Sequence, residues 1–72
     1  MVAQAPLVHV RVDGRSVDIP LGDLDVGHRN SDQQIKDATA RYLDIPVSNL
    51  RTYVVDRHET QNLTIRPQAV FG

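Results

Sequence analysis

Three histidines, nine acidic residues and no cysteine are the groups of this 72-residue chain that bear most directly on chemistry. His9, His28 and His58 lie far apart in the sequence, and no two of them form the i, i+4 pair that places two imidazoles on one helix face. The lack of cysteine excludes thiolate ligands, cysteine nucleophiles and disulfides. We therefore predict neither a metal site nor a bound cofactor.

The acidic residues flank polar stretches of the chain and do not lie within apolar ones. Asp23 and Asp25 stand in one such stretch, and Asp56 and Glu59 border another. A carboxylate that stays in contact with water is a poor general acid at neutral pH. No serine lies in the Gly-x-Ser-x-Gly context of a hydrolase nucleophile. We expect the protein not to be an enzyme.

The composition narrows the classes of partner. The formal net charge of −1 and the pI near 6.2 lack the basic footprint that nucleic-acid binding requires. No apolar run approaches the 18 residues of a membrane span, and residues 1–6 do not have the pattern of a secretory signal. The lack of cysteine suits a reducing compartment. We predict a cytoplasmic protein that binds neither nucleic acid nor a membrane.

Alternating apolar and polar residues predict a β-hairpin in the first half of the chain. Leu7–Asp13 places every second residue, a valine, on one face, and Asp13-Gly14 is a tight-turn signal. The return strand, Ser16–Leu21, contains Pro20, which lacks an amide proton and so indicates a strand at the edge of a sheet. Residues 22–30 are polar and are predicted to form a connecting loop.

Residues Ser31 to Leu43 are predicted to form the single helix. Ser31 and Gln34 have the spacing of a capping box, in which each side chain bonds the backbone amide of the other residue. Pro46 follows the segment and disfavours its continuation. The predicted apolar stripe consists of Ile35, Ala38, Thr39, Tyr42 and Leu43.

The rest of the chain predicts a turn and a second pair of strands. In the turn, Asp44–Leu50, we expect the three apolar side chains Ile45, Val47 and Leu50 to pack on the core. Arg51–Asp56 and Leu63–Arg66 are the predicted strands, and Pro67 is expected to end the pairing. The element order is ββαββ, which places the chain in the α+β class.

A hairpin, a connecting loop, a helix that opens with Ser31-Asp32, a turn and a final strand pair together resemble the ubiquitin-like β-grasp family. The resemblance covers residues 7–72 and is closest in length to small prokaryotic members. It implies one helix packed on a four-stranded mixed sheet, with the first and last strands as parallel neighbours at the centre. Residues 1–6 are expected to be a flexible arm outside this domain.

The resemblance implies non-covalent binding of a protein partner through the face of the sheet opposite the helix. Alternation places Asp18 and Thr52 on that face together with the predicted partner-binding residues, which are His9, Arg11, Val54, Thr64 and Arg66. The two arginines are expected to be neighbours, and the face to be mixed and basic. Because like charges on adjacent strands are destabilising, this arrangement favours a partner that supplies acidic groups.

The resemblance also implies an alternative, a modifier or sulfur-carrier protein. Such proteins end in a Gly-Gly tail whose carboxylate an adenylating enzyme activates. This chain ends in Gly72, but Phe71 stands where the family has a second glycine. Gly72 is thus the predicted conjugation terminus of the alternative, with an adenylating enzyme as its partner.

Overall fold

A computed structural model describes residues 6–12 and 14–68, and its elements follow the predicted order with one addition. Besides a 3-10 turn at Val47–Leu50, the elements are β1 (Leu7–Val12), β2 (Arg15–Pro20), α1 (Leu21–Leu24), α2 (Asp32–Leu43), β3 (Tyr53–Arg57) and β4 (Leu63–Pro67). The strand ends differ from the predicted ones by at most two residues.

The four strands form one mixed sheet in the order β2-β1-β4-β3. The two hairpins are antiparallel, and β1 pairs in parallel with β4, so that Val10 lies opposite Ile65. Pro20 lies on β2 at the edge of the sheet, where its missing amide proton disrupts no inner ladder. The predicted α+β class, with a four-stranded mixed sheet and one main helix, is confirmed.

The sheet order dictates where α2 lies. The chain leaves β2 at one edge of the sheet and starts β3 at the opposite edge. Three strand spacings of about 4.8 Å make this crossing roughly 14 Å wide. A 12-residue helix is about 18 Å long, at 1.5 Å per residue, which suffices for the crossing. Helix α2 therefore packs across one face of the sheet, which we call the inner face.

Side-chain contacts at the start of α2 hold this crossing in place. The predicted capping box is present: Ser31 Oγ accepts from the Gln34 amide at 3.1 Å, and Gln34 Oε1 accepts from the Ser31 amide at 2.9 Å. Arg57, at the end of β3, donates through Nη2 to the Asn30 carbonyl at 2.6 Å and pairs with Asp32 Oδ1 at 2.8 Å. The cap fixes where the helix begins, and Arg57 links that point to the sheet edge.

The core between α2 and the sheet is aliphatic. Ile35 is fully buried against a cluster made of Val8, Val10, Ile19, Leu21, Leu24, Leu63 and Ile65. Thr39 is also buried, and its hydroxyl donates to the Ile35 carbonyl at 2.8 Å, so that no polar atom of its side chain is left unpaired.

Two predicted core contacts are wrong. Tyr42 is 51% exposed and Ala40 is buried in its place, because the buried side of α2 is rotated toward Ile35, Thr39 and Ala40. In the 3-10 turn, Leu50 is fully buried while Val47 is 41% exposed. Of these two side chains, only that of Leu50 is buried in the core, and Ile45, just before the 3-10 turn, is half-buried.

The prediction of a loop over residues 22–30 is also wrong for the first residues of that range. Leu21 to Leu24 form the short helix α1, which ends at Asp25 in the left-handed region with φ 57°. Leu21 and Leu24 are three residues apart and both buried, so one helical turn places both side chains in the core. The Leu21 amide donates to the Pro6 carbonyl at 3.0 Å. Residues 1–5 of the predicted arm lie outside the described residues.

The burial pattern of α2 predicts unequal effects of truncating its side chains. Ile35→Ala should lower the free energy of unfolding by about 2–5 kcal/mol, because it leaves a cavity in the core. Tyr42→Ala should cost about 1 kcal/mol or less, since half of the side chain is in water. Urea denaturation of both variants measures the difference, and equal losses would contradict the observed rotation of the helix.

The capping box predicts a smaller loss at the start of α2. Ser31→Ala removes the acceptor of the Gln34 amide and should cost about 1 kcal/mol in urea denaturation. Ser16→Ala is the matched control, because Ser16 is exposed on β2, and its effect should stay within about 0.5 kcal/mol. A Ser31→Ala variant as stable as the control would show that the cap does not stabilise the helix.

Candidate functional site

The candidate site is the face of the sheet opposite α2, which we call the outer face. Alternation along each strand sends the valines of β1 to the core and His9 and Arg11 to the other side. Tyr53 and Val55 pack against the core, as predicted, so Val54 points outward. All five predicted partner-binding residues lie on this face: His9, Arg11, Val54, Thr64 and Arg66.

A polar row crosses the outer face from one edge to the other. The strand register aligns Asp18 with His9, His9 with Thr64, and Thr64 with Asp56. His9 Nδ1 is in direct contact with Asp18 Oδ1, and both side chains are about half exposed. This contact holds the imidazole of His9 through Nδ1 and leaves its Nε2 atom for other partners.

Arg11 and Arg66 differ in their surroundings. Both follow the last registered pair of the parallel ladder, Val10 and Ile65, and therefore lie on adjacent strands, as predicted. Arg66 Nε donates to Asp56 Oδ2 at 2.6 Å, whereas Arg11 is exposed and has no salt bridge among the described residues.

The outer face was predicted to be mixed and basic. It is mixed, but its acidic and basic side chains balance, so it is not basic. Asp18 and Asp56 lie on the same face as the two arginines. The predicted repulsion between the arginines is relieved at Arg66 by its own acidic neighbour. Among the described residues, Arg11 is the arginine of this face that forms no salt bridge.

A hollow of about 420 Å³ lies at one end of the outer face, beside the β3–β4 hairpin. His58 Nε2 is 2.8 Å from the Thr64 hydroxyl, and Asn62 Oδ1 accepts from the Leu7 amide at 2.9 Å. The hollow is lined by Leu7, His9, Asp18, His58, Thr60, Asn62, Leu63 and Thr64. The sequence had not placed His58 or Asn62 at this site, because alternation assigns faces only within strands.

The described residues contain no group of three or more histidine, cysteine or acidic side chains that could hold a metal ion. His9 and His58 do line the same hollow, although their sequence spacing had separated them. Gly72 and Phe71, on which the modifier alternative depends, lie outside the described residues. Thr52 precedes β3 and accepts a hydrogen bond from the Gln68 amide at 3.1 Å through its carbonyl.

Comparison with known proteins finds no relative. The chain matches no protein-family model, and neither a curated protein nor a solved structure is significantly similar to it. Within the described part of the chain, no helix has the length and apolar character needed to cross a membrane.

The exposure of the Arg66–Asp56 pair predicts a small contribution to stability. Arg66→Gln, Asp56→Asn and the double variant form a thermodynamic cycle that isolates the interaction between the two side chains. Because both side chains are more than 40% exposed, the coupling free energy from urea denaturation should be about 1 kcal/mol or less. A larger coupling free energy would mean that the Arg66 side chain stabilises the fold through Asp56 and is not available to a partner.

Proposed function

We propose that this chain is a ubiquitin-like β-grasp domain that binds a protein partner non-covalently through its outer face. The fold assignment is supported by the order of the elements, by the parallel pairing of β1 with β4 at the centre of the sheet, and by the helix that crosses the inner face. A fold alone does not assign a function, so the functional proposal depends on the outer face.

One observation carries the functional proposal: Arg11 lies on a sheet face that no described helix covers, and it forms no salt bridge among the described residues. Both helices pack on the inner side, and all four strands present side chains to solvent on the outer side. Arginine is enriched at binding hot spots and grips a carboxylate with two parallel hydrogen bonds. A partner carboxylate aimed at Arg11 is the simplest complement of this surface.

The surroundings of Arg11 define the partner further. Asp18 and Asp56 flank the arginines on the two edge strands, so a complementary surface has its acidic group at the centre and basic groups to either side. Half-buried Val54 adds apolar contact beside Arg66. Such alternating charges favour one orientation of the partner over others.

The area of the outer face indicates how stable a complex formed through it would be. Four strands span roughly 14 Å, and five residues along each strand about 17 Å, so the face covers on the order of 240 Å². Side chains add accessible surface to this projected area, but a standard interface buries about 800 Å² of accessible surface on each partner, which is more than three times the projected area. Contact through the strands alone is therefore of the weak, transient kind unless the β3–β4 hairpin also takes part.

Charge reversal at the two arginines tests this proposal. Beads carrying the tagged protein are incubated with lysate of its native cell, and the partner captured by the wild type is quantified by mass spectrometry. Arg11→Glu should reduce capture about thirtyfold, the effect of a hot-spot loss of 2 kcal/mol, and adding Arg66→Glu should abolish it.

The matched control is Arg29→Glu, which makes the same charge change at an exposed loop residue away from the strands. It should capture the partner as well as the wild type does. Circular dichroism establishes that all variants are folded. Undiminished capture by the Arg11 and Arg66 double variant, or equal loss in the Arg29 control, would disprove binding through the outer face.

A further inference from the structure

A second polar cavity lies on the helical side of the molecule, between α2 and the 3-10 turn. It has a volume of about 210 Å³ and is lined by Gln33, Lys36, Val47, Ser48 and Arg51. We propose that this cavity, called here the Lys36 cavity, binds a carboxylate of an acidic peptide segment of a partner protein. The proposal is independent of the outer face, because α2 covers the opposite side of the sheet.

Local structure brings the cavity residues together. Gln33 and Lys36 are three residues apart on α2 and so lie on the same side of the helix. The 3-10 turn is anchored by fully buried Leu50, and its Asn49 amide bonds the Pro46 carbonyl at 3.0 Å. The Arg51 amide bonds the Ser48 carbonyl at 3.2 Å and closes the turn. The walls of the cavity are thus two fixed backbone segments.

The charge of the lining indicates an anion. Lys36 is the single lysine of the chain, and neither Lys36 nor Arg51 forms a salt bridge among the described residues. Both residues line one cavity, and no aspartate or glutamate is among its lining residues. The cavity beside β2 is lined by one arginine and four apolar residues, and three further cavities each have an aspartate in their lining.

One carboxylate lies near the cavity without lining it. Asp37 Oδ1 accepts a hydrogen bond from Gln33 Nε2 at 2.9 Å. Asp37 itself lines the cavity between α1 and α2 on another side of the helix. It occupies a donor of Gln33. The other donor groups carried by the lining residues are the ammonium of Lys36, the guanidinium of Arg51 and the hydroxyl of Ser48.

The remaining lining residue distinguishes a peptide from a simple anion. Val47, which lines the cavity, is 41% exposed and is one of two large apolar residues of the described chain that are exposed, the other being Tyr42. A glutamate or aspartate beside an apolar residue satisfies both the donors and Val47. Nucleic acid fits less well, because the chain has a net charge of −1.

The single lysine gives the test a direct readout. The full chain is acetylated with a dilute active ester, and the rate of modification at Lys36 is followed by mass mapping, separately from the amino terminus. The probe is the capped peptide Glu-Glu-Leu-Glu-Glu, and the control peptide is Gln-Gln-Leu-Gln-Gln. We expect saturating acidic peptide to slow acetylation of Lys36 at least fivefold and the glutamine peptide to leave the rate unchanged.

Variants tie the protection to the cavity. Arg51→Gln should weaken binding of the acidic peptide about tenfold, as read from the concentration that protects Lys36. Arg29→Gln, the same change at an exposed arginine that does not line the cavity, should leave it within twofold. Amide chemical shifts of Ser48 and Arg51 should move on titration with the peptide, and those of the outer face should not.

Three results would overturn the proposal. No slowing of acetylation, or equal slowing by the glutamine peptide, would exclude recognition of a carboxylate. Equal slowing by inorganic phosphate at the same concentration would show a general oxyanion site and not peptide docking. Shifts confined to Arg11, Arg66 and their neighbours would place the acidic peptide on the outer face, a result that would support the proposed function while excluding this second site.

Discussion

The parallel pairing of β1 with β4 is the constraint on which the rest of the structure depends. Parallel neighbours cannot be joined by a tight turn, so each central strand has its own hairpin partner on its other side. The two partners, β2 and β3, therefore become the edges, and the chain between them has to cross the whole sheet. It crosses once, on one side. This single pairing therefore determines that α2 covers the inner face and leaves the outer face without a helix among the described residues.

Polar contacts fasten the two ends of this arrangement without accounting for most of its stability. Arg57 ties the start of α2 to the edge of β3, and Asn62 ties the start of β1 to the β3–β4 hairpin. The ion pairs of the surface are half exposed, and pairs of that kind contribute about 0–1 kcal/mol. Their main effect is on orientation: they direct His9 and Arg66 toward their neighbours, while Arg11 has no such neighbour among the described residues.

Period-two alternation was sufficient to predict which face each strand residue occupies. It placed His9, Arg11, Thr64, Arg66 and Val54 correctly on the outer face. A shift of one residue would move all apolar side chains of a strand from the core to solvent, so the apolar pattern specifies the face of each residue.

Alternation does not determine contacts between strands, and this is where prediction failed. The bond from Arg66 to Asp56 depends on the relative register of β3 and β4. The same limit applies to helices. The rotation that exposes Tyr42 is set by packing on the sheet, and the single turn at Leu21–Leu24 is too short to show a period. The Lys36 cavity joins segments that only tertiary packing brings together.

The two proposed surfaces are physically separate, which bears on how they act together. Arg11 lies on the outer face, and Lys36 lies on the helix that covers the inner face. A helix layer is about 10 Å thick, whereas charges in water at physiological salt are screened over about 8 Å. Charge bound at one surface therefore has little direct effect on the other. Any coupling between them would have to pass through the packing of α2 on the sheet, whose fully buried aliphatic contacts leave little room for a second arrangement. If both proposed surfaces bind, the two partners would therefore bind independently, and neither would control the other.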